Sequence, residues 1–161
     1  MRHVSLLVIV ATASIGLCAD EKSSAPDSKA LNGAWVLTSG IRGGENLPDE
    51  IVKSIHLYVA NGKYSVKAGD VLDQGTCKVD PTKTPKTLTL EGTEGPNKGK
   101  TMLGIYELDK DTLKVCYDLS GKAFPERFES KPKTPSFLAT YERLKSKKHP
   151  ILLGPNTKAK E

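Results

Sequence analysis

Few side chains in this chain could do chemistry, and none of them assembles a reaction centre. His3 and His149 lie near the ends, so His56 is the histidine of the central body. In Ile55-His56-Leu57-Tyr58 the alternation of a strand places it opposite Leu57, on the outer face beside Tyr58, where a lone histidine is ordinarily a surface residue. Asp109-Lys110-Asp111 offers paired carboxylates. That spacing is turn chemistry first, with a weak calcium site as the alternative reading. Glu91 and Glu94 in a glycine-rich loop have the same explanation. The loop Gly92–Gly99 lacks the Gly-Lys-Ser/Thr ending of a phosphate cradle. Gly99-Lys100-Thr101 precedes a strand, so no helix dipole would hold a phosphate there. No Gly-x-Ser-x-Gly elbow occurs. The expectation is a protein that is not an enzyme, with no catalytic residue, no metal site and no cofactor.

The sequence holds three cysteines. No Cys-x-x-Cys spacing and no neighbouring histidine suggests a redox or zinc site. In Gln74-Gly75-Thr76-Cys77-Lys78-Val79, Cys77 alternates inward with Val79. In Leu113-Lys114-Val115-Cys116-Tyr117, Cys116 falls on the other face with Lys114. Side chains on opposite faces of one wall do not meet disulfide geometry, so both thiols are expected free.

The segments that flank these residues define where the body begins and ends. Arg2 and His3 precede an apolar run, Val4–Leu17, of the length of a signal-peptide core and too short to span a membrane comfortably. Small residues at Gly16, Cys18 and Ala19 predict cleavage near Cys18 or Ala19. Acylation of Cys18 is the alternative, opposed by the bulky Leu17 before it. Residues 1–19 thus read as a signal peptide, 20–30 as a linker, 31–144 as the domain and 145–161 as a basic tail. The localisation that follows is export to a periplasm, cell envelope or medium. The formal charge is +5, from 24 basic and 19 acidic residues. Arg2 carries one of the five and the segment from Leu144, five lysines against Glu161, carries four, so the body is neutral. A basic pI that belongs to the tail is not a nucleic-acid-binding face. It suits a solvated extension or contact with a polyanion.

Between the tails, short alternating runs are separated by turn residues. Strands are predicted over Ala34–Ser39, Ile55–Ala60, Lys63–Lys67, Val71–Val79 with a bulge at Gly75, Lys86–Leu90, Thr101–Leu108, Thr112–Asp118 and Ser136–Arg143. Gly40–Asn46 reads as a loop, and Leu47–Lys53 as one short helix with Pro48, Asp49 and Glu50 in its first turn. Asn61-Gly62 between two alternating runs is the strongest hairpin signal. About eight locally connected antiparallel strands tend to close, because closure removes exposed edges. The fold expected is all-β, an up-and-down antiparallel barrel, with a two-sheet sandwich as the alternative.

A set of motifs then points to a family. They are Leu31-x-Gly33-x-Trp35, Gly75-Thr76, Pro85-Lys86, Glu94-Gly95-Pro96-x-x-Gly99-Lys100, Gly104-Ile105-Tyr106-Glu107-Leu108, Leu113-Lys114-Val115-Cys116, Pro125-x-x-Phe128 and Arg143. On these residues the chain resembles the small secreted lipocalin-like domains known mainly from planctomycete bacteria, a family of uncharacterised function. The match covers roughly 31–143. Similar domains usually carry Arg before the Pro of Pro-x-x-Phe, where this chain has Phe124. The nearby Arg127 is the candidate substitute. The resemblance implies that Trp35, the sole tryptophan, covers one end of the barrel behind Gly33. It further implies that Arg143 lies across the Trp35 ring and that Asp27–Asn32 forms a helical turn plugging that end.

Two functions follow as expectations. The first is a carrier whose barrel interior, lined by Tyr64, Leu88, Ile105, Tyr117 and Phe137, takes a small apolar or amphipathic ligand. The second is an envelope interaction or scaffold module that contacts protein, polysaccharide or another polyanion through Gly40–Asn46, Gly92–Gly99 and the basic tail. A cavity of several hundred Å³ would favour the first, and a filled interior the second.

Overall fold

The computed structural model describes residues 27–145. In chain order the elements are α1 (Asp27–Ala30), β1 (Gly33–Arg42), β2 (Glu45–Asn46), α2 (Asp49–Ser54), β3 (Ile55–Ala60), β4 (Lys63–Ala68), β5 (Val71–Asp80), β6 (Lys86–Glu94), β7 (Thr101–Asp109), β8 (Thr112–Asp118) and β9 (Ser136–Arg143). Each strand from β3 to β9 pairs antiparallel with its sequence neighbour. β1 pairs with β3 on one side and with β9 on the other, which closes an eight-stranded barrel; β2 is a short ninth strand appended to β1. The ladder is continuous, so the sandwich alternative is excluded.

Turn chemistry sets much of this. Asn61 and Gly62 adopt φ of 50° and 73°, the paired left-handed conformation of a two-residue hairpin. The register does shift at Gln74/Gly75, but the bulge is in β6 and not in β5: Gln74 pairs with Glu94 and Gly75 with Gly92, which leaves Thr93 as the extra residue. Gly75 is obligatory there, since a Cβ would stand 2.1 Å from the Glu91 carbonyl oxygen.

Several boundaries differ from the sequence expectation. β1 continues through Gly40–Arg42, so the expected loop shrinks to a tight hairpin with β2. β6 extends to Glu94. The helix after β1 is shifted to Asp49–Ser54. α1 falls within the helical turn that the resemblance implied at Asp27–Asn32 and overlaps the positions read as linker, so the described fold begins at Asp27. The expected signal peptide and the tail beyond Lys145 lie outside the described residues. Among the described residues, no helix is long and apolar enough to cross a membrane.

β1 is bent. It pairs with β3 only through Gly33–Val36 and with β9 from Trp35 to Arg42, with a register irregularity between Leu37 and Ser39. Beyond Val36 the side that faces β3 is covered by the connection, in which β2 pairs with Ile41 and Arg42. The Leu47 N–H donates to the Gly40 carbonyl at 2.8 Å, and Leu47 and Val52 pack onto the core. Gly40 makes room, since a Cβ there would lie 2.8 Å from Leu47 Cδ1.

Candidate functional site

The barrel interior is built by register. Cross-strand partners share a face, so one inward row runs Trp35, Leu57, Val66, Asp73, and another runs Val79, Leu88, Gly104, Tyr117, Phe137. Tyr64, Leu88 and Tyr117 are buried in the core, and Phe137 packs against it. Tyr117 and Phe137 stack with ring centroids 6.2 Å apart. Ile105 does not line the interior. It pairs with Thr87 and Cys116 on the outer face, while Gly104 and Tyr106 point in. Its near-complete burial has another cause: the chain from Leu119 to Pro135 lies over that patch. Leu119 N–H donates to the Pro135 carbonyl at 2.9 Å, and Cys116 Sγ donates to the Glu129 carbonyl at 3.2 Å. Lys114 Nζ stands 4.9 Å from the Phe128 ring centroid. Cys116 is therefore outward yet buried, and Cys77 inward; both are free thiols. Burial pushes the Cys77 thiol up to about 11, and raises Cys116 as well. At neutral pH neither is a nucleophilic thiolate.

One end of the barrel is shut by Trp35. The indole is fully buried, and its Nε1–H donates to the Leu31 carbonyl at 2.9 Å. The Arg143 guanidinium carbon lies 4.0 Å from the Trp35 ring centroid. Its Nη1 donates to the Asn32 carbonyl at 2.8 Å, its Nη2 to the Ala30 carbonyl at 2.6 Å, and its Nε pairs with Asp111 at 3.3 Å. The approach needs Gly33, at φ 142°, where a Cβ would stand 2.6 Å from Arg143 Nη1. Asp27 fixes α1 from the other side, accepting from Lys86 Nζ at 2.6 Å and from the Tyr106 hydroxyl at 2.9 Å. Burial, then the Asp27 carboxylate, hold Tyr106 well above the usual phenol range. The group is a closure, with every strong donor directed at a backbone carbonyl or a carboxylate of the fold.

The opposite end is shut by a loop. Asp73, buried and inward-facing, accepts from the Asn97 backbone N–H at 3.1 Å, the Asn97 side-chain amide at 2.9 Å and the Tyr64 hydroxyl at 3.2 Å. Burial, then Asp73, raises Tyr64 strongly. Gly95 lets the loop press onto β5, since a Cβ would stand 2.2 Å from the Leu72 carbonyl oxygen. The motif Glu94-Gly95-Pro96-x-x-Gly99 is thus a lid tied to the wall. Asp27, Asp73, Asn97 and Tyr106 were missed as site residues in the sequence. A charge at an inward strand position is the local signal that could have found Asp73, between Val71 and Gly75.

Between the two closures the interior retains about 30 Å³, bounded by Leu31, Tyr64, Cys77, Leu88, Val115 and Tyr117, among others. That is room for a water molecule and far below a ligand cavity of ~300 Å³ or more. The remaining candidates are surface features. His56 is exposed and its Nδ1 sits 3.3 Å from the Ser54 carbonyl oxygen. Asp111 pairs with Arg143 and with Lys145 at 3.0 Å. Glu91 pairs with Lys78 at 3.4 Å. Among the described residues no cluster of three or more His, Cys, Asp or Glu could hold a metal. Phe124 is exposed, and Arg127 lies on the outer cleft below Pro125, away from the interior.

Comparison with protein-family models, with curated proteins and with solved structures finds no match to this chain. The fold and the geometry above therefore define the class: a closed antiparallel β-barrel, an architecture compatible with ligand binding, stoppered at both ends.

Proposed function

We propose that this chain is an exported, non-enzymatic interaction module whose barrel is a scaffold and whose outer surface makes the contacts. One observation carries the reading: side chains fill the barrel to about 30 Å³, whereas concavities of about 530, 420 and 380 Å³ lie on the outside. A carrier would need Tyr64 and Tyr117 to swing out of a packed core. The resemblance to small secreted lipocalin-like domains, the apolar leader and the basic tail support an extracytoplasmic setting. The partner class is an envelope protein or polysaccharide.

The test is native mass spectrometry of the protein purified from its own envelope, with the leader intact in the gene. The expected result is a chain cleaved near Cys18 or Ala19 that carries no small apolar molecule and co-purifies with a macromolecular component. A stoichiometric apolar ligand retained by the barrel would return the carrier reading. A chain found uncleaved in the cytoplasm would remove the extracytoplasmic one.

A further inference from the structure

A shallow cleft on the outer wall, over β3 to β6, has features that neither closure explains. It encloses about 530 Å³, within the ~300–1,000 Å³ of small-ligand clefts, and is lined by Tyr58, Asn61, Ser65, Gln74, Thr76 and Thr93 among others. Register makes these side chains a surface. Tyr58, Ser65 and Gln74 form one outward row across three strands and end at Glu94; Lys63 and Thr76 belong to the next row. The bulge opposite Gln74 and Gly75 lies in β6, whose extra residue Thr93 borders the cleft.

The chemistry of the lining is specific. Most of it is neutral hydrogen-bonding groups: two amides, three aliphatic hydroxyls and two phenols. Lys63 and Glu94, one of each sign, leave no net field to select an ion. Ser65 is a buried polar residue at the floor, 7% exposed, and accepts from Gln74 Nε2 at 3.3 Å. That contact uses one of the two N–H donors of the Gln74 amide, so the amide retains a donor and its oxygen for a ligand. Tyr58 is 45% exposed, a large aromatic held at the cleft without a packing role in the core. The negative face of such a ring attracts the weakly positive C–H groups of a sugar, while amides and hydroxyls pair with its hydroxyls.

From this combination we infer that the β3–β6 cleft binds a neutral oligosaccharide, with Tyr58 as the stacking platform and Ser65, Gln74 and Thr76 as the polar readers. The inference rests on the interaction-module reading and names its ligand class and its site.

Backbone amide shifts of the labelled domain, 27–145 in the full exported chain, are followed while chitotriose, cellotetraose and maltotetraose are added to millimolar concentration. At least one probe gives saturable shifts confined to Tyr58, Ser65, Gln74, Thr76 and Thr93. Tyr58→Ala weakens it about tenfold or more without lowering the melting temperature. Absence of such shifts with all three overturns the proposal, as does a response to an acidic heparin fragment at the same residues with none to the neutral sugars. A second arm separates the two readings. Wild-type protein co-sediments with its envelope polysaccharide fraction and Tyr58→Ala does not. Equal co-sedimentation of both rejects the cleft and leaves the module standing, and co-sedimentation of neither rejects both.

Discussion

At the scale of the residue, Arg143 concentrates more interactions than any charge in the core requires for solubility. It stacks on Trp35, donates to two carbonyls at the end of α1 and pairs with Asp111. A guanidinium on an indole contributes ~0.5–2 kcal/mol, and carbonyls that lose a donor cost more. Arg143→Ala is expected to lower stability by about 2–3 kcal/mol in urea titrations read by Trp35 fluorescence. Arg143→Lys should recover less than half of that, because an ammonium cannot fork between Ala30 and Asn32. Cys77 gives a second expectation. With its thiol near 11 instead of the ordinary 9.0, native protein at pH 8 should react with a thiol reagent at Cys77 about 100-fold more slowly than unfolded chain. Reaction of native and urea-unfolded protein under the same conditions measures the ratio, and equal rates would refute the buried, protonated state. The residue scale was legible for Trp35 and Gly33, because an isolated tryptophan behind a glycine at a first strand has few uses. Asp27 was not legible. Its partners Lys86 and Tyr106 are 59 and 79 positions away, and only closure of the barrel brings them together.

At the scale of the element, the strands show which signals survive folding. Runs with one wet face, such as Ile55–Ala60, where exposed His56 and Tyr58 alternate with buried Leu57 and Val59, were read correctly. β7 was misread at Ile105 because both of its faces are covered, one by the core and one by the chain after β8, so alternation carries no contrast there. That covering chain starts from Asp118. Burial by itself pushes the Asp118 carboxyl up, but hydrogen bonds from the Ser120 hydroxyl and from the backbone N–H groups of Ser120, Ala123 and Lys122 outweigh it and leave it below the usual range. A carboxyl depressed in the folded state stabilises above its unfolded pKa, ~3.9, and loses that contribution as pH falls through its lower folded value. Asp118→Asn should therefore destabilise at pH 7 and converge on wild type in strong acid. Melting curves from pH 7 to about pH 2 test this. A constant offset over the whole range would mean that Asp118 acts by shape and not by charge.

At the scale of the whole molecule, the packed interior is the property on which function turns. Tyr117→Ala should cost about 3–5 kcal/mol, as removal of a large buried ring does. It should also open a cavity between Tyr64 and Phe137 that the native protein lacks. A small apolar probe such as benzene would then raise the melting temperature of the variant and leave wild type unmoved. An equal shift in both proteins would show that the native barrel already admits such a molecule. Whole-molecule architecture was the most legible level, because eight short strands with hairpin turns allow few closed arrangements. The bend in β1 was not legible, since it depends on Leu47 occupying the space that Gly40 leaves. One further consequence concerns orientation. α1 enters beside Arg143, and Leu144 donates its N–H to the Ala34 carbonyl at 2.8 Å, so the chain arrives and departs on the same pole. Whatever holds the protein by its leading or trailing extension leaves the other pole pointing away from the attachment, and the flank bearing Tyr58 stands upright, open to traffic from the side.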